Sequence, residues 1–178
     1  MISDGSMEFQ IEQLDVAGWR RGRGVRLRSL ADTPDAFGAT LDRENAFDDQ
    51  RWVSRVARQD AATFVAVSVE GRDIGMVVMA PYEQQIGLFG IWVDAEARMG
   101  GVGGRLVDAG IDWARGRGFS HVFLDVGDGN RAAIALYESR GFLPTGESGS
   151  LPPPREHVRE HQRRLVIARP GVGSGFVG

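Results

Sequence analysis

The chain has no cysteine. That excludes a disulfide framework, a cysteine-ligated zinc and a cysteine nucleophile together. It has no lysine either, so all 21 basic residues are arginine. Lysine Schiff-base chemistry and a Walker-type phosphate loop both need lysine and are excluded. No apolar run approaches the ~20 residues that span a bilayer, so no membrane partner is expected. The opening residues, Met1 to Met7, lack the basic-then-apolar pattern of a secretory signal, and the expected compartment is the cytoplasm. Charge of one sign is not in excess: the formal net charge is -3, with both signs mixed along the chain. A nucleic-acid partner, which calls for a basic face, is not expected.

The length of 178 residues fits one domain. A domain of this size buries roughly 70% of its unfolded surface and needs no metal or disulfide staple. Residues 1–6 read as a disordered or tag-like N-terminus, 7–169 as the domain and 170–178 as a flexible, glycine-rich tail. Phe9 to Leu14 alternates as a first strand. Gly18, Gly22 and Gly24 break up an arginine-rich stretch. Val25 to Ala31 then reads as a helix ended by Pro34, and Asp48 to Arg58 as a second, with Trp52, Val53 and Val56 inward. Strands follow at Thr63–Val69 and Ile74–Ala80 around a turn at Gly71. Ile86 to Val93 is almost wholly apolar, as a buried central strand would be. Helix Gly103–Gly116, strand Val122–Val126, helix Asn130–Arg140 and a last strand Gln162–Ala168 complete the pattern, with Pro152 to Pro154 in a loop. The fold class is mixed α/β (α+β).

The stretch from Ile91 to Leu106 runs an apolar strand into a glycine-rich loop that opens an amphipathic helix. The first turn of a helix carries free N–H groups and a partial positive charge. Glycine lets that backbone approach a phosphate closely, and Arg105 stands in the first turn to add a charge-assisted contact. A plain structural turn is the alternative. The dinucleotide fingerprint is not met, because Leu106 stands where its third glycine belongs. What is met is Arg98-x-x-Gly101-x-Gly103.

This loop resembles the coenzyme A pyrophosphate loop of the GNAT family of N-acetyltransferases. A second motif, Leu124-Asp125-Val126 followed by Asn130 to Phe142, resembles that family's strand-and-helix signature, with Asn130, Ala133, Tyr137, Gly141 and Phe142 in register. The resemblance covers Thr63 to Phe142 well and the N-terminal helices loosely. It implies a GNAT fold: a mixed sheet of about seven strands with a splayed parallel pair, flanked by about four helices. It implies acetyl-CoA as acetyl donor and no metal. The backbone around Ile91 and Val93 would hold the pantetheine amide and the acetyl carbonyl. Arg98 and the backbone of Met99, Gly100, Gly101, Val102, Gly103, Gly104 and Arg105 would hold the pyrophosphate, while Asn130, with Ala133 behind it, would reach the pantetheine arm. The family often has glycine and then a basic residue after the loop arginine; Met99 and Gly100 stand here instead.

Tyr137 is the candidate general acid. A thiolate leaves when an amine attacks, and a phenol with a pKa near ~10 can give it a proton at neutral pH. The alternative is a core aromatic, since Ile134, Tyr137 and Gly141 share helical spacing. Asp125 is the candidate base that frees the amine of its proton. It lies twelve residues before Tyr137, a spacing that resembles the ribosomal-protein N-acetyltransferases, which carry glutamate there. Asp94 and Glu83 are weaker candidates.

The expected activity is direct acetyl transfer to an amine of a small molecule or a protein N-terminus. A non-catalytic acyl-CoA sensor is the alternative, and the family's frequent homodimers leave a homodimeric state open. His157-Val158-Arg159-Glu160-His161 matches a zinc-peptidase pattern, but its place after three prolines favours a solvated loop. The arginines from Arg20 to Arg28 read as a solvated helix face.

Overall fold

Alternation along the strands settles how the layers pack. In the computed structural model, which describes residues 7–167, β2 (Ala62–Ser68) and β3 (Asp73–Tyr82) carry apolar side chains on both faces. Val65, Val67 and Met76 join one core cluster, and Phe64, Ala66, Val77 and Met79 join another. A strand with period-2 side chains and two buried faces must be covered on both sides. Helix α1 (Trp19–Asp32) covers the first face with Val25 and Leu30, and α3 (Asp49–Ala57) packs beside it through Val56. Helix α4 (Val102–Gly116) covers the second face with Val102, Leu106, Val107 and Ile111, joined by Tyr137 of α5 (Arg131–Ser139). The short α2 (Leu41–Asn45) lies between α1 and α3 in sequence.

The remaining strands are β1 (Phe9–Gln13), β4 (Gln85–Val93), β5 (His121–Gly127), β6 (Leu143–Ser150) and β7 (Arg159–Val166). Among the described residues they form one seven-stranded sheet in the order β1-β2-β3-β4-β5-β7-β6. Every neighbouring pair is antiparallel except β4 and β5. The mixed sheet with one parallel pair is the architecture expected from the sequence.

Three local expectations need correction. The arginine-rich stretch is not broken by its glycines: α1 begins at Trp19 and runs through Gly22 and Gly24. Its arginines are not a merely solvated face, and they pin the helix to its surroundings. Arg21 bonds Asp73 at 2.6 Å and Glu12 at 2.9 Å, and Arg28 bonds Asp94 at 3.2 Å. Tertiary ion pairs thus override the weak helix propensity of glycine. Residues 143–150, to which the sequence pattern assigns no element, form β6, a largely exposed edge strand without apolar alternation to betray it. Residues 1–6 and 170–178, expected as a disordered or tag-like N-terminus and a flexible tail, lie outside the described residues, as does Ala168.

Glu44 is only 1% exposed, yet it is charged between two guanidinium groups. Arg26 holds it through Nε at 3.0 Å and Nη2 at 3.2 Å, and Arg55 through Nη1 at 2.9 Å and Nη2 at 3.1 Å. Burial pushes this carboxyl up, but the bonds from Arg26 and Arg55 outweigh it and hold it below the ordinary glutamate range. A folded-state pKa below the unfolded ~4.3 means stability that is present above that pH and lost as pH falls through the folded value. Glu44→Gln is therefore expected to cost about 3 kcal/mol at neutral pH, because it strands two paired cations. It should also flatten the acid limb of stability. Urea unfolding of both proteins from pH 7 to pH 3 checks this; parallel curves would refute it.

Candidate active site

Strands β4 and β5 pair only at Ile86–Val122 and Gly87–Phe123. Beyond these residues they part. On the β4 side, a bulge shifts the β3 register from Met76–Trp92 to Val78–Phe89, with Gly90 in the left-handed region at φ 60°. A bulge bends its strand and increases the local twist. On the β5 side, the strand keeps its full partnership with β7 from His121 to Gly127 and so turns away from β4. The V between them opens into a cleft of about 450 Å³, whose lining includes Ile91, Asp125, Asn130, Tyr137 and Glu160.

At the end of β4 the chain makes a short 3₁₀ turn over Ala95–Ala97, then the glycine loop, then α4. Met99 and Gly101 both have positive φ, 68° and 78°. The left-handed conformation at Met99 explains why glycine is common at that place in the family: here a side chain is tolerated where glycine fits without strain. Met99 is fully exposed at 103%. None of the N–H groups from Met99 to Gly104 donates to an acceptor among the described residues. These unpaired donors, at the positive end of a fifteen-residue helix, make an anion cradle.

The side chains around the cradle have definite places. Arg98 turns back: its Nε donates to the Val93 carbonyl at 3.0 Å and its Nη2 to Asp32, which also accepts from Trp92 Nε1 at 2.9 Å. Arg105 lies over the Phe9 ring, 5.4 Å from its centroid. Arg98 is thus engaged away from the loop, while Arg105 lines a shallow hollow with Gly100 and Gly101. Asn130, which lines the cleft, caps α5, its Oδ1 accepting from the Ala133 N–H at 3.2 Å and its amide nitrogen left without a partner among the described residues. The Ala133 N–H is thereby already paired.

Tyr137 is 4% exposed, lines the cleft, and its hydroxyl makes no hydrogen bond among the described residues. Its ring meets Phe142 edge-on at 5.6 Å. Burial pushes its phenol well above the ordinary tyrosine value, so it stays protonated at neutral pH. Asp125 lines the same cleft. Burial pushes its carboxyl up, opposed by a hydrogen bond from Tyr82. That bond ends a relay: Thr145 Oγ1 donates to Gln162 Oε1 at 2.8 Å, Gln162 Nε2 donates to Tyr82 Oη at 2.6 Å, and Tyr82 donates to Asp125 Oδ2 at 3.5 Å. Because Tyr82 accepts from Gln162, its own proton is free for Asp125. Tyr82 is stacked on Phe123 at 5.3 Å, which fixes the phenol's place.

Sequence reasoning missed two groups here. Glu160 lines the cleft from β7, opposite Gly127 of β5 and on the same face as Gln162, and both burial and the charge of Asp125 push its carboxyl up. Its only sequence signal was the zinc-like pattern, which misdirects: His161 is in a strand, not a helix, and contacts Asp128. Among the described residues no group of three or more acidic or histidine side chains is arranged to hold a metal. Tyr82, at the end of β3 and marked by no motif, is the second. Of the weaker base candidates, Asp94 is taken by Arg28 and Arg72, and Glu83 sits in the β3–β4 turn at φ 53°.

A profile of the acetyltransferase (GNAT) family matches residues 27–142, more than half of the chain. The chain belongs to this family. Human N-acetyltransferase 8 is 37% identical over 101 residues, covering 53% of this chain and 44% of that protein. Mycothiol acetyltransferase of Thermomonospora curvata is 33% identical over 129 residues, covering 72% of this chain and 40% of that protein. The chain thus spans less than half the length of these curated relatives. The ribosomal-protein-S18-alanine N-acetyltransferase of Escherichia coli superposes with a TM-score of 0.68 at 20% identity, over 93% of this chain and 98% of that one. At that identity the likeness establishes the GNAT fold. Among the described residues no helix is long and apolar enough to cross a membrane.

The relay makes a direct prediction. The Tyr82 hydroxyl stabilises ionised Asp125, so Tyr82→Phe is expected to raise the Asp125 pKa further. Carboxyl-carbon NMR titration of both proteins measures this; an unmoved or lowered value would break the link.

Proposed function

We propose that the chain is an N-acetyltransferase that moves the acetyl group of acetyl-CoA directly to an amine of a small molecule or a protein N-terminus, with residues 7–169 as its catalytic domain. The observation that carries this is Tyr137: a buried phenol with an unpaired hydroxyl, in the same cleft as Asp125, where the two strands part. The Tyr137 hydroxyl is not among the fully enclosed unpaired polar atoms, so it opens on the cleft instead of being sealed in the core. The names of human N-acetyltransferase 8 and of the ribosomal-protein-S18-alanine N-acetyltransferase support transfer to nitrogen.

The donor supplies an activated acetyl thioester. The unpaired N–H groups of Met99 to Gly104 fit its pyrophosphate, with the helix dipole adding to the attraction. The free amide nitrogen of Asn130 and the backbone at Ile91 and Val93 suit the pantetheine arm, with the Val93 carbonyl already engaged by Arg98. Arg98 and Arg105 then act mainly by shaping the loop, and Ala133 by packing behind Asn130. Asp125 takes a proton from the acceptor ammonium, directly or through water, and the freed amine attacks the acetyl carbon. A C–N bond forms and the C–S bond breaks; the departing thiolate takes its proton from Tyr137, the proton shed by the attacking nitrogen restores the phenol through water, and the proton on Asp125 returns to solvent.

Thiol release from acetyl-CoA, measured over a panel of amines and peptide N-termini, tests this reading. Acetyl-CoA binding without thiol release for any acceptor would instead indicate a non-catalytic sensor. Acetyl-CoA should stabilise the fold by about 2.7 kcal/mol at a hundredfold excess over its dissociation constant. Gly101→Val, which forces a β-branched residue to positive φ in the cradle, should weaken that shift strongly, whereas Arg98→Ala should weaken it less. Tyr137→Phe should retain the shift but lower kcat by ~10²–10⁴. An unchanged kcat, with chemistry limiting, would remove the acid role.

A further inference from the structure

Resting on the acetyl-transfer reading above, we infer that the acceptor is an α-amino acid, whose carboxylate binds Arg26 while its amine faces Asp125. Arg26 lines the cleft from α1, its guanidinium stacked 4.9 Å from the Phe37 ring. Two of its nitrogens, Nε and Nη2, are committed to Glu44. The third, Nη1, has no partner among the described residues. It lies 3.2 Å from where a Cβ on Gly90 would stand, so it sits at the β4 bulge where the V opens.

The charge on this wall is unbalanced. Arg26 and Arg55 share the single carboxylate of Glu44, and both line the cleft. One positive charge is left over, which suits one carboxylate better than a dianionic phosphate. Trp52 supplies a second, independent sign of a missing acceptor. It lines the same cleft, is 3% exposed, and its buried Nε1–H has no partner. Buried donors are rarely left unpaired without reason.

The other wall of the cleft carries the opposite sign. Asp125 and Glu160 line it, and neither is paired with an arginine among the described residues. A ligand with an ammonium group alone leaves Arg26 and Trp52 unanswered; one with a carboxylate alone leaves the acids unanswered. An amine and a carboxylate in one molecule answer both. Nη1 stands at the bulge next to Ile91, whose backbone the proposed reaction assigns to the acetyl group, so we place the carboxylate near the reacting amine, as on an α-carbon. A peptide N-terminus has an amide there instead.

The test uses matched acceptors with one side chain: the free α-amino acid, its carboxamide, and the decarboxylated amine. Thiol release should favour the amino acid by about tenfold or more in kcat/KM, mostly through KM. The preference should fall toward one in Arg26→Gln, which leaves Glu44 its bond to Arg55, and fall partly in Trp52→Phe, which deletes the N–H from a packed aromatic. Equal or better use of the carboxylate-free amines would overturn the proposal. So would an Arg26→Gln variant that lowers all three rates equally, since Arg26 would then act on the transfer step itself. Should Arg26→Gln not fold, the wild-type preference and Trp52→Phe decide. Should no acceptor release thiol, calorimetry separates the two readings. Binding of the amino acid but not its carboxamide would uphold the carboxylate site while the transfer reading fails, and binding of neither would overturn it.

Discussion

Only Ile86–Val122 and Gly87–Phe123 hold β4 beside β5, and the chemistry of the cleft follows from how the strands part after them. A parallel pair that continued would bury the backbone of Ile91 and close the space in front of Tyr137. Two features prevent this. Gly90 takes a positive φ and bends β4 at the bulge, and β7 holds β5 along its whole length. The same partnership with β7 brings Gln162 opposite Asp125 and Glu160 opposite Gly127. Opening the V and furnishing it with acids are one event in the fold.

Arginine organises the rest. A guanidinium presents a rigid fork of donors that grips carboxylates in pairs. Asp32, Glu44, Asp73, Asp94, Asp108 and Glu138 are each held by one or two arginines. These acids fix helices and loops to the sheet or to one another. Asp125 and Glu160 stand apart: both line the cleft, Asp125 exposed and Glu160 partly buried, and both have carboxyls pushed upward by desolvation. The contrast separates acids that hold the fold from acids that face a ligand, and it is drawn by their partners, not by their exposure alone.

What the sequence made legible was local. The strand–glycine loop–helix from Ile91 to Leu106 has its signal in consecutive residues, and Asn130 to Phe142 likewise, so both were readable and lie as their patterns suggest. Residues whose meaning depends on pairing across the chain were not readable. Glu160 sits in a charged stretch after three prolines, and only the β5–β7 register turns it toward Asp125. Tyr82 becomes significant through Phe123 and Gln162, 41 and 80 residues away. Arg26 looked like one arginine among five, because nothing near it in sequence reveals Glu44. β6 escaped notice because an exposed edge strand has no buried face to impose alternation.

In the proposed reaction the acid and the base need opposite habits, and one physical cause supplies both. Desolvation disfavours the charged form of any group. For Tyr137, whose neutral form already dominates at physiological pH, burial deepens the commitment to the proton, and the phenol remains a donor until a developing thiolate demands it. For Asp125, whose charged form dominates, burial raises proton affinity and brings the carboxylate closer to the poise at which it competes for an ammonium proton. The Tyr82 bond restrains that rise, so the carboxylate remains ionised before the acceptor arrives. A single cleft, set by the departure of β4 from β5, thereby keeps one proton in place and draws another out.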